Sequence, residues 1–365
     1  MRKHKRFAFL HFAIIFTALT ISGRLAAEEA TTLGQYPLCE ASAALLVACP
    51  PDGKGECLLV GDNEQKQKLY LFPIKDQKLD SNAQRIFDLP NGIELSDIEA
   101  LAGTSGDKVL AFASHSRNTS CEIKPKRHQF GKVNLSKAKT EVVDTLQSKK
   151  VTCEHLFDNR VLDASMKAAC EEIDTADLLA TLIDDAVKAG TLLTEDTAKT
   201  PCNAVNAYNA EGAVAINTTK GADVWIGLRA PLLPAYPSQP EKKHLAILLH
   251  MKDLTAYTFD RVAFVDLGGR GVRDLSSDAT SIWVIAGPPE DRTEPFELRR
   301  FPKSALDKAQ MIDSEFIRAL PPSSEGLAIS GKTAFVVIDG DAGNDDQNAL
   351  KVCKDPARYE ILSLP

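Results

Sequence analysis

Five acidic residues recur in one sequence context, and their convergence would build a polar, cation-seeking site. The copies begin Glu40-Ala-Ser-Ala-Ala, Glu99-Ala-Leu-Ala-Gly, Glu211-Gly-Ala-Val-Ala, Asp274-Leu-Ser-Ser-Asp and Glu325-Gly-Leu-Ala-Ile. Each leads through a turn into a β-rich run: Cys57 to Asp62, Val109 to His115, Val224 to Arg229, Ile282 to Gly287, and Phe335 to Asp339. Like charges held close raise one another's pKa unless a cation or an arginine compensates. The pattern therefore predicts a divalent cation, calcium foremost, because hard cations take oxygen ligands. The predicted ligands are Glu40, Glu99, Glu211, Asp274, Glu325 and Asp339. The competing expectation is that these carboxylates accept backbone N–H bonds from a neighbouring repeat and do no chemistry.

Other side chains arrive at the same place. His115 and Arg229 end two of the second runs, where His115 can move a proton and Arg229 can stabilise developing negative charge. Arg270 and Arg273, in Gly268-Gly-Arg-Gly-Val-Arg273, can meet an anionic ligand. That glycine-rich segment lacks the Lys-Ser/Thr of a phosphate loop, so a tight turn between repeats explains its glycines. The segment from Asp339 to Asp346 has calcium-loop residues without the EF-hand order, and reads as an acidic surface loop. No Gly-x-Ser-x-Gly and no His-Glu-x-x-His occurs, which argues against a serine hydrolase or a zincin.

Units of 50 to 60 residues with about four short β-rich runs each are the mark of a β-propeller. Spacings of 59, 112, 63 and 51 residues separate the anchors. An insertion at about 153–203 explains the long one, with Glu171 to Gly190 reading as an amphipathic helix. The expected fold is thus all-β, a propeller of about five four-stranded blades, or six if the insertion hides one. The last unit lacks a fourth strand, which the piece near Thr32 to Leu38 can supply to close the ring. Strand one of each blade lines the channel, and strand two returns to the same mouth, so the recurring carboxylates meet there. Trp225 and Trp283 share one register on two second strands, as blade packing requires.

Composition sets the compartment. The basic start Arg2, Lys3, Lys5, Arg6, the apolar run Phe7 to Gly23 and the small residue Ala27 read as a signal peptide over 1–27, with the propeller over 28–365. Cleavage there takes Lys and Arg from 43 to 38 against 50 Asp and Glu, a net charge of −12. Such a surface argues against nucleic acid or anionic lipid as the main partner. No later stretch is long and apolar enough to span a membrane. Eight cysteines without a CxxC pair read as disulfides of a periplasmic or secreted protein. Cys49 and Cys57 flank a hairpin and pair with each other. Cys39 and Cys353 become neighbours if the ring closes. Cys121, Cys153, Cys170 and Cys202 then staple the helical insertion over the mouth.

The segments Ser96-Asp-Ile-Glu-Ala-Leu-Ala, Trp225-Ile-Gly-Leu-Arg-Ala-Pro, Asp266-Leu-Gly-Gly-Arg-Gly-Val-Arg-Asp, Val284-Ile-Ala-Gly-Pro-Pro and Ser324-Glu-Gly-Leu-Ala resemble a secreted bacterial family catalogued as domain of unknown function 3616. The resemblance runs from about Glu94 to Asp339. It implies a propeller outside the cytoplasm and brings no activity or catalytic residue. Two functions follow from the residues. One is a module binding a small molecule, glycan or protein at an acidic channel mouth that holds a divalent cation. The other is a metal-assisted hydrolase of phosphoesters or lactones using the same carboxylates.

Overall fold

The computed structural model describes residues 30–89, 94–105, 107–114, 125–127, 129–137, 139–143, 209–218, 221–230, 232–236, 239–253, 258–289, 295–307 and 311–365. The expected signal segment, the insertion at about 153–203, His115, Cys121, Cys153, Cys170 and Cys202 lie outside them.

Each repeat folds as an antiparallel sheet, and the sheets form five blades. After β1 (Thr31–Thr32), the first blade runs β2 (Ala41–Ala48), β3 (Glu56–Asp62), β4 (Lys68–Lys75), β5 (Lys78–Leu79) and β6 (Arg85–Asp88). The second is β7 (Ile98–Ser105), β8 (Lys108–Ala113), β9 (Phe130–Asn134) and β10 (Lys139–Val143). The third comprises β11 (Asn209–Thr218), β12 (Gly221–Ala230), β13 (Leu233–Tyr236), β14 (Gln239–Asp253) and β15 (Thr258–Asp266). The fourth has β16 (Gly271–Ser277), β17 (Ser281–Gly287) and β18 (Phe296–Pro302). From there the chain lends β19 (Met311–Asp313) in parallel to β15 before β20 (Glu315–Leu320) completes the fourth sheet. The fifth blade is β21 (Ser324–Ser330), β22 (Thr333–Ile338) and β23 (Arg358–Ser363), with α1 (Asp345–Leu350) between the last two.

The fifth sheet is completed by β1, whose Thr31 and Thr32 pair with Tyr359 and Arg358. The N-terminal end of the chain therefore supplies the outer strand of the last blade. The five inner strands β2, β7, β11, β16 and β21 each pack against the next, and β21 packs back on β2. That closed circle settles the count at five.

Closure explains the sequence pattern. Each blade is covered on both faces, so its second strand reads as a continuous apolar run rather than an alternating one. In β12, Val224, Ile226 and Leu228 belong to the core shared with the second blade, and Trp225 to the core shared with the fourth. Five apolar clusters fill the five interfaces between blades. Burial of each large side chain in them contributes about 1.5–3 kcal/mol. Trp225 and Trp283 are both buried core residues, as their shared register implies.

The cysteines among the described residues pair as the ring requires. Cys49–Cys57 bridges the hairpin of β2 and β3 across 5.1 Å between Cα atoms, and Cys39–Cys353 joins the two ends of the circle across 5.5 Å.

Candidate functional site

Each inner strand breaks its ladder at the same point near one mouth of the channel, and β7 breaks again between Gly103 and Ser105. Ala41 pairs Asp62 and Ala43 pairs Gly61, which leaves Ser42 without an opposite residue. The same one-residue bulge leaves out Glu99 in β7, Glu211 in β11, Arg273 in β16 and Glu325 in β21. A bulge re-aims its extra residue away from the regular alternation of the strand. The five blades therefore present Ser42, Glu99, Glu211, Arg273 and Glu325 at equivalent positions. In the third blade β12 carries a bulge too, and its extra residue is Arg229.

Two residues of the sequence repeat are displaced by this register. Glu40 lies two positions before the bulge and Asp274 one position after it. Neither is the ring residue of its blade; Ser42 and Arg273 are. Charge had aligned the repeats where the backbone does not. The signal was present, because Arg273-Asp-Leu-Ser matches Glu325-Gly-Leu-Ala once the shared leucine is used as the guide. The position after the ring residue is confined in two blades: a Cβ on Gly212 would meet Val272 Cγ1 at 2.6 Å, and one on Gly326 would meet the Ala43 backbone at 3.0 Å.

The ring is bound together by its guanidinium. Arg273 Nη1 donates to Glu211 Oε2 at 2.9 Å and to Glu325 Oε1 at 3.0 Å, while Nη2 donates to the Pro288 carbonyl at 3.1 Å. Arg229 Nη1 donates to Glu211 Oε1 at 2.9 Å, and Asn209 Nδ2 donates to the same oxygen at 2.7 Å. Glu211 is buried, with three donors on its two oxygens. Glu325 is pushed up to about 7 by burial, against the pull of Arg273. Ser42 donates its hydroxyl proton to the Ile98 carbonyl. Glu99 stands apart from these bonds. Burial, followed by the charges of Asp97, Glu211, Glu325 and Asp339, raises its pKa well above the ordinary glutamate range.

The remaining candidates divide between backbone clasps and the rim. Asp274 accepts from Leu327 N at 2.7 Å, Leu275 N at 2.7 Å and Ala44 N at 3.3 Å, so it ties the fourth blade to the fifth and the first. Burial nevertheless raises its pKa well above the aspartate range. Asp62 accepts four backbone N–H groups, from Cys39, Glu40, Glu64 and Gln65, and burial still pushes it up to about 7. Glu40 accepts from Ala342 N at 2.9 Å, and burial raises its pKa. Asp339 is pushed up to about 9, by burial first and then by Glu325 and Glu40. It also lines a groove of about 670 Å³ at the edge of the fifth blade, with Pro321, Ile338, Lys354 and Arg358.

Arg270 is not brought to the ring. It donates to the Pro295 and Gly268 carbonyls at 2.9 and 3.1 Å and pairs with Glu297 at 2.9 Å. Its loop is a turn, with Gly268 and Gly269 at φ +67° and +82°. The acidic segment after Asp339 opens α1, where Asn344 caps Asp346 N and Gln347 N and receives its own cap from Gln347. Among the described residues, no three His, Cys, Asp or Glu side chains come together in a metal-holding group. Sequence reasoning missed Ser42 and Asn209 altogether, and took Arg273 for a ligand contact where it is the counter-ion of two carboxylates.

A family model described as protein of unknown function (DUF3616) matches residues 54–323. No curated protein matches the chain. Among solved structures it is similar to Kuenenia stuttgartiensis hydrazine synthase, at 10% identity and a TM-score of 0.37 over 94% of this chain and 67% of that one. It is similar to YjhT at 8% identity and 0.39, covering 90% and 81%. A regucalcin from Agrobacterium tumefaciens str. C58, titled a calcium-binding protein, is 12% identical with a TM-score of 0.37, covering 92% and 93%. No helix among the described residues is long and apolar enough to cross a membrane.

Proposed function

We propose, for a chain that belongs to the DUF3616 family of proteins of unknown function, that it is an extracytoplasmic binding propeller whose ligand enters the bulge-built ring. The two disulfides support an oxidising compartment. The observation that carries the reading is the asymmetry of the ring. Arg273 holds Glu211 and Glu325 in place, while Glu99, on which their charges act, has no hydrogen-bond partner among the described residues. A rigid clamp beside one uncommitted acid is a preformed recognition surface.

Calcium is the competing occupant, and the metal-assisted hydrolase depends on it. Both need the carboxylate oxygens that the guanidinium of Arg273 engages. Screening by thermal shift separates the readings, using the mature oxidised protein with small polar molecules, glycans and calcium. A ligand that stabilises the wild type and Glu40→Gln to the same degree, but not Glu99→Gln, is the expected result. Turnover of a phosphoester or lactone that EDTA abolishes would replace binding with hydrolysis.

A further inference from the structure

We infer that Cys49–Cys57 is a thiol-exchange site, where a dithiol partner reduces the bond while the propeller stays folded. It lies outside the ring and does not depend on the binding reading. β2 leaves the mouth at Ser42 and ends at Ala48, so the bond sits on the opposite face of the propeller.

A guanidinium stands on one of its two sulfurs. Arg85 Nη2 donates to Cys57 Sγ at 3.1 Å, and Nη1 donates to the Pro50 carbonyl at 3.0 Å. Arg85 forms no ion pair among the described residues, so no carboxylate takes up its charge. The acids beside the pair bond elsewhere: Glu56 accepts from Ser330 Oγ at 2.9 Å, and Asp52 from Lys54 N at 3.1 Å. A cation beside sulfur stabilises the thiolate, and exchange is faster when the departing sulfur is the better-stabilised thiolate.

Exposure selects the other sulfur as the target. Cys57 is 0% exposed and Cys49 is 8% exposed. The loop between them is exposed from Pro51 to Gly55. A Cβ built on Gly53 or Gly55 would meet nothing within 4 Å, so no described element covers that side of the hairpin. A thiolate of the partner attacks Cys49 Sγ, the bond to Cys57 breaks, and the electron pair leaves on Cys57 Sγ against Arg85. The partner's second thiolate then attacks its own sulfur in the mixed disulfide and expels Cys49. Two electrons pass to the cysteine pair, and the dithiol ends as a disulfide. One of its protons ends on Cys49 and the other is released, with Cys57 held as thiolate.

The other described bond is set against exchange. Cys353 Sγ lies 3.4 Å from the Leu38 carbonyl oxygen, which opposes a negative sulfur there, and Cys39 is 1% exposed. Seven paired positions of β2 and β3 hold the hairpin without Cys49–Cys57. One bond closes the ring, and the other can open without unfolding it.

Redox titration of the mature, oxidised protein in dithiothreitol buffers at about pH 7 tests this, with alkylation and mass mapping of each cysteine. Reduced thioredoxin serves as the protein dithiol, and glutathione as the monothiol that leaves its adduct behind. The expected result is reduction of Cys49–Cys57 before Cys39–Cys353 by either dithiol, with circular dichroism unchanged and the glutathione adduct on Cys49. Arg85→Met should slow reduction and lower its equilibrium constant by about tenfold, which is about 30 mV for two electrons. Arg85→Lys should restore part of that loss. Arg85 also holds Pro50, so a guanidinium that merely braces the loop would protect the bond, and its removal would speed reduction. Unchanged or faster reduction of Arg85→Met, an adduct on Cys57, or reduction only on unfolding would overturn the assignment.

Discussion

Replacing Arg273 with methionine should lower the unfolding free energy by about 3–5 kcal/mol, since removal of one partner strands buried charge. The guanidinium is the shared counter-ion of Glu211 and Glu325, and its side chain is 6% exposed against 3% and 12% for theirs. Methionine keeps the aliphatic bulk beside Phe296, over whose ring the guanidinium now sits at 5.3 Å. What it removes is therefore charge and hydrogen bonds rather than volume. Arg229 still meets Glu211, so the larger share of the loss falls on Glu325. Urea unfolding of Arg273→Met, Glu325→Gln and the double variant forms a cycle that isolates the pair. The double variant should recover part of the loss, because neither buried charge is then left alone. A loss under about 1 kcal/mol, typical of an exposed pair, would show that Arg273 is not the internal counter-ion.

Removing Cys39–Cys353 should cost about 6 kcal/mol, and removing Cys49–Cys57 about 2.5 kcal/mol, on the loop-entropy relation. The first closes a sequence separation of 314 residues and the second one of 8. Structure points the same way. The Cys39–Cys353 bond stands beside a closure made of only two paired residues on β1. The Cys49–Cys57 bond repeats what seven paired positions of β2 and β3 already hold. Paired serine variants measured by urea unfolding separate the two. Equal losses would mean that the blades stay closed through packing alone.

The fold was legible because a propeller constrains itself. Units of one length, each too apolar to stand alone, leave few arrangements. A missing fourth strand at the end of the chain points to its start for closure. The same topology makes Cys39 and Cys353 neighbours and leaves Cys49 to its hairpin partner. The ring was legible only in part. Glu99, Glu211 and Glu325 were found because residue type and backbone register coincide there. Glu40 and Asp274 were drawn into the set by charge, while the bulges select Ser42 and Arg273. A bulge shifts register by one residue and leaves no mark in composition, so only an apolar reference such as Leu275 against Leu327 could have exposed it. Asn209 was invisible because its role comes from a hydrogen bond to Glu211 across the bulge at the start of β11. Asp274 behaves as the backbone-clasp expectation held, taking N–H groups from Leu327 and Ala44 of other blades, whereas those on Asp62 come from beside its own strands.

The most direct test of the account is a crystal structure of the mature, oxidised protein grown in the presence of calcium. The account predicts the Arg273 guanidinium between Glu211 and Glu325, Glu99 facing them, and Asp274 on the backbone of the fifth and first blades. A calcium ion bound by Glu99, Glu211 and Glu325, with Arg273 turned away from them, would contradict it.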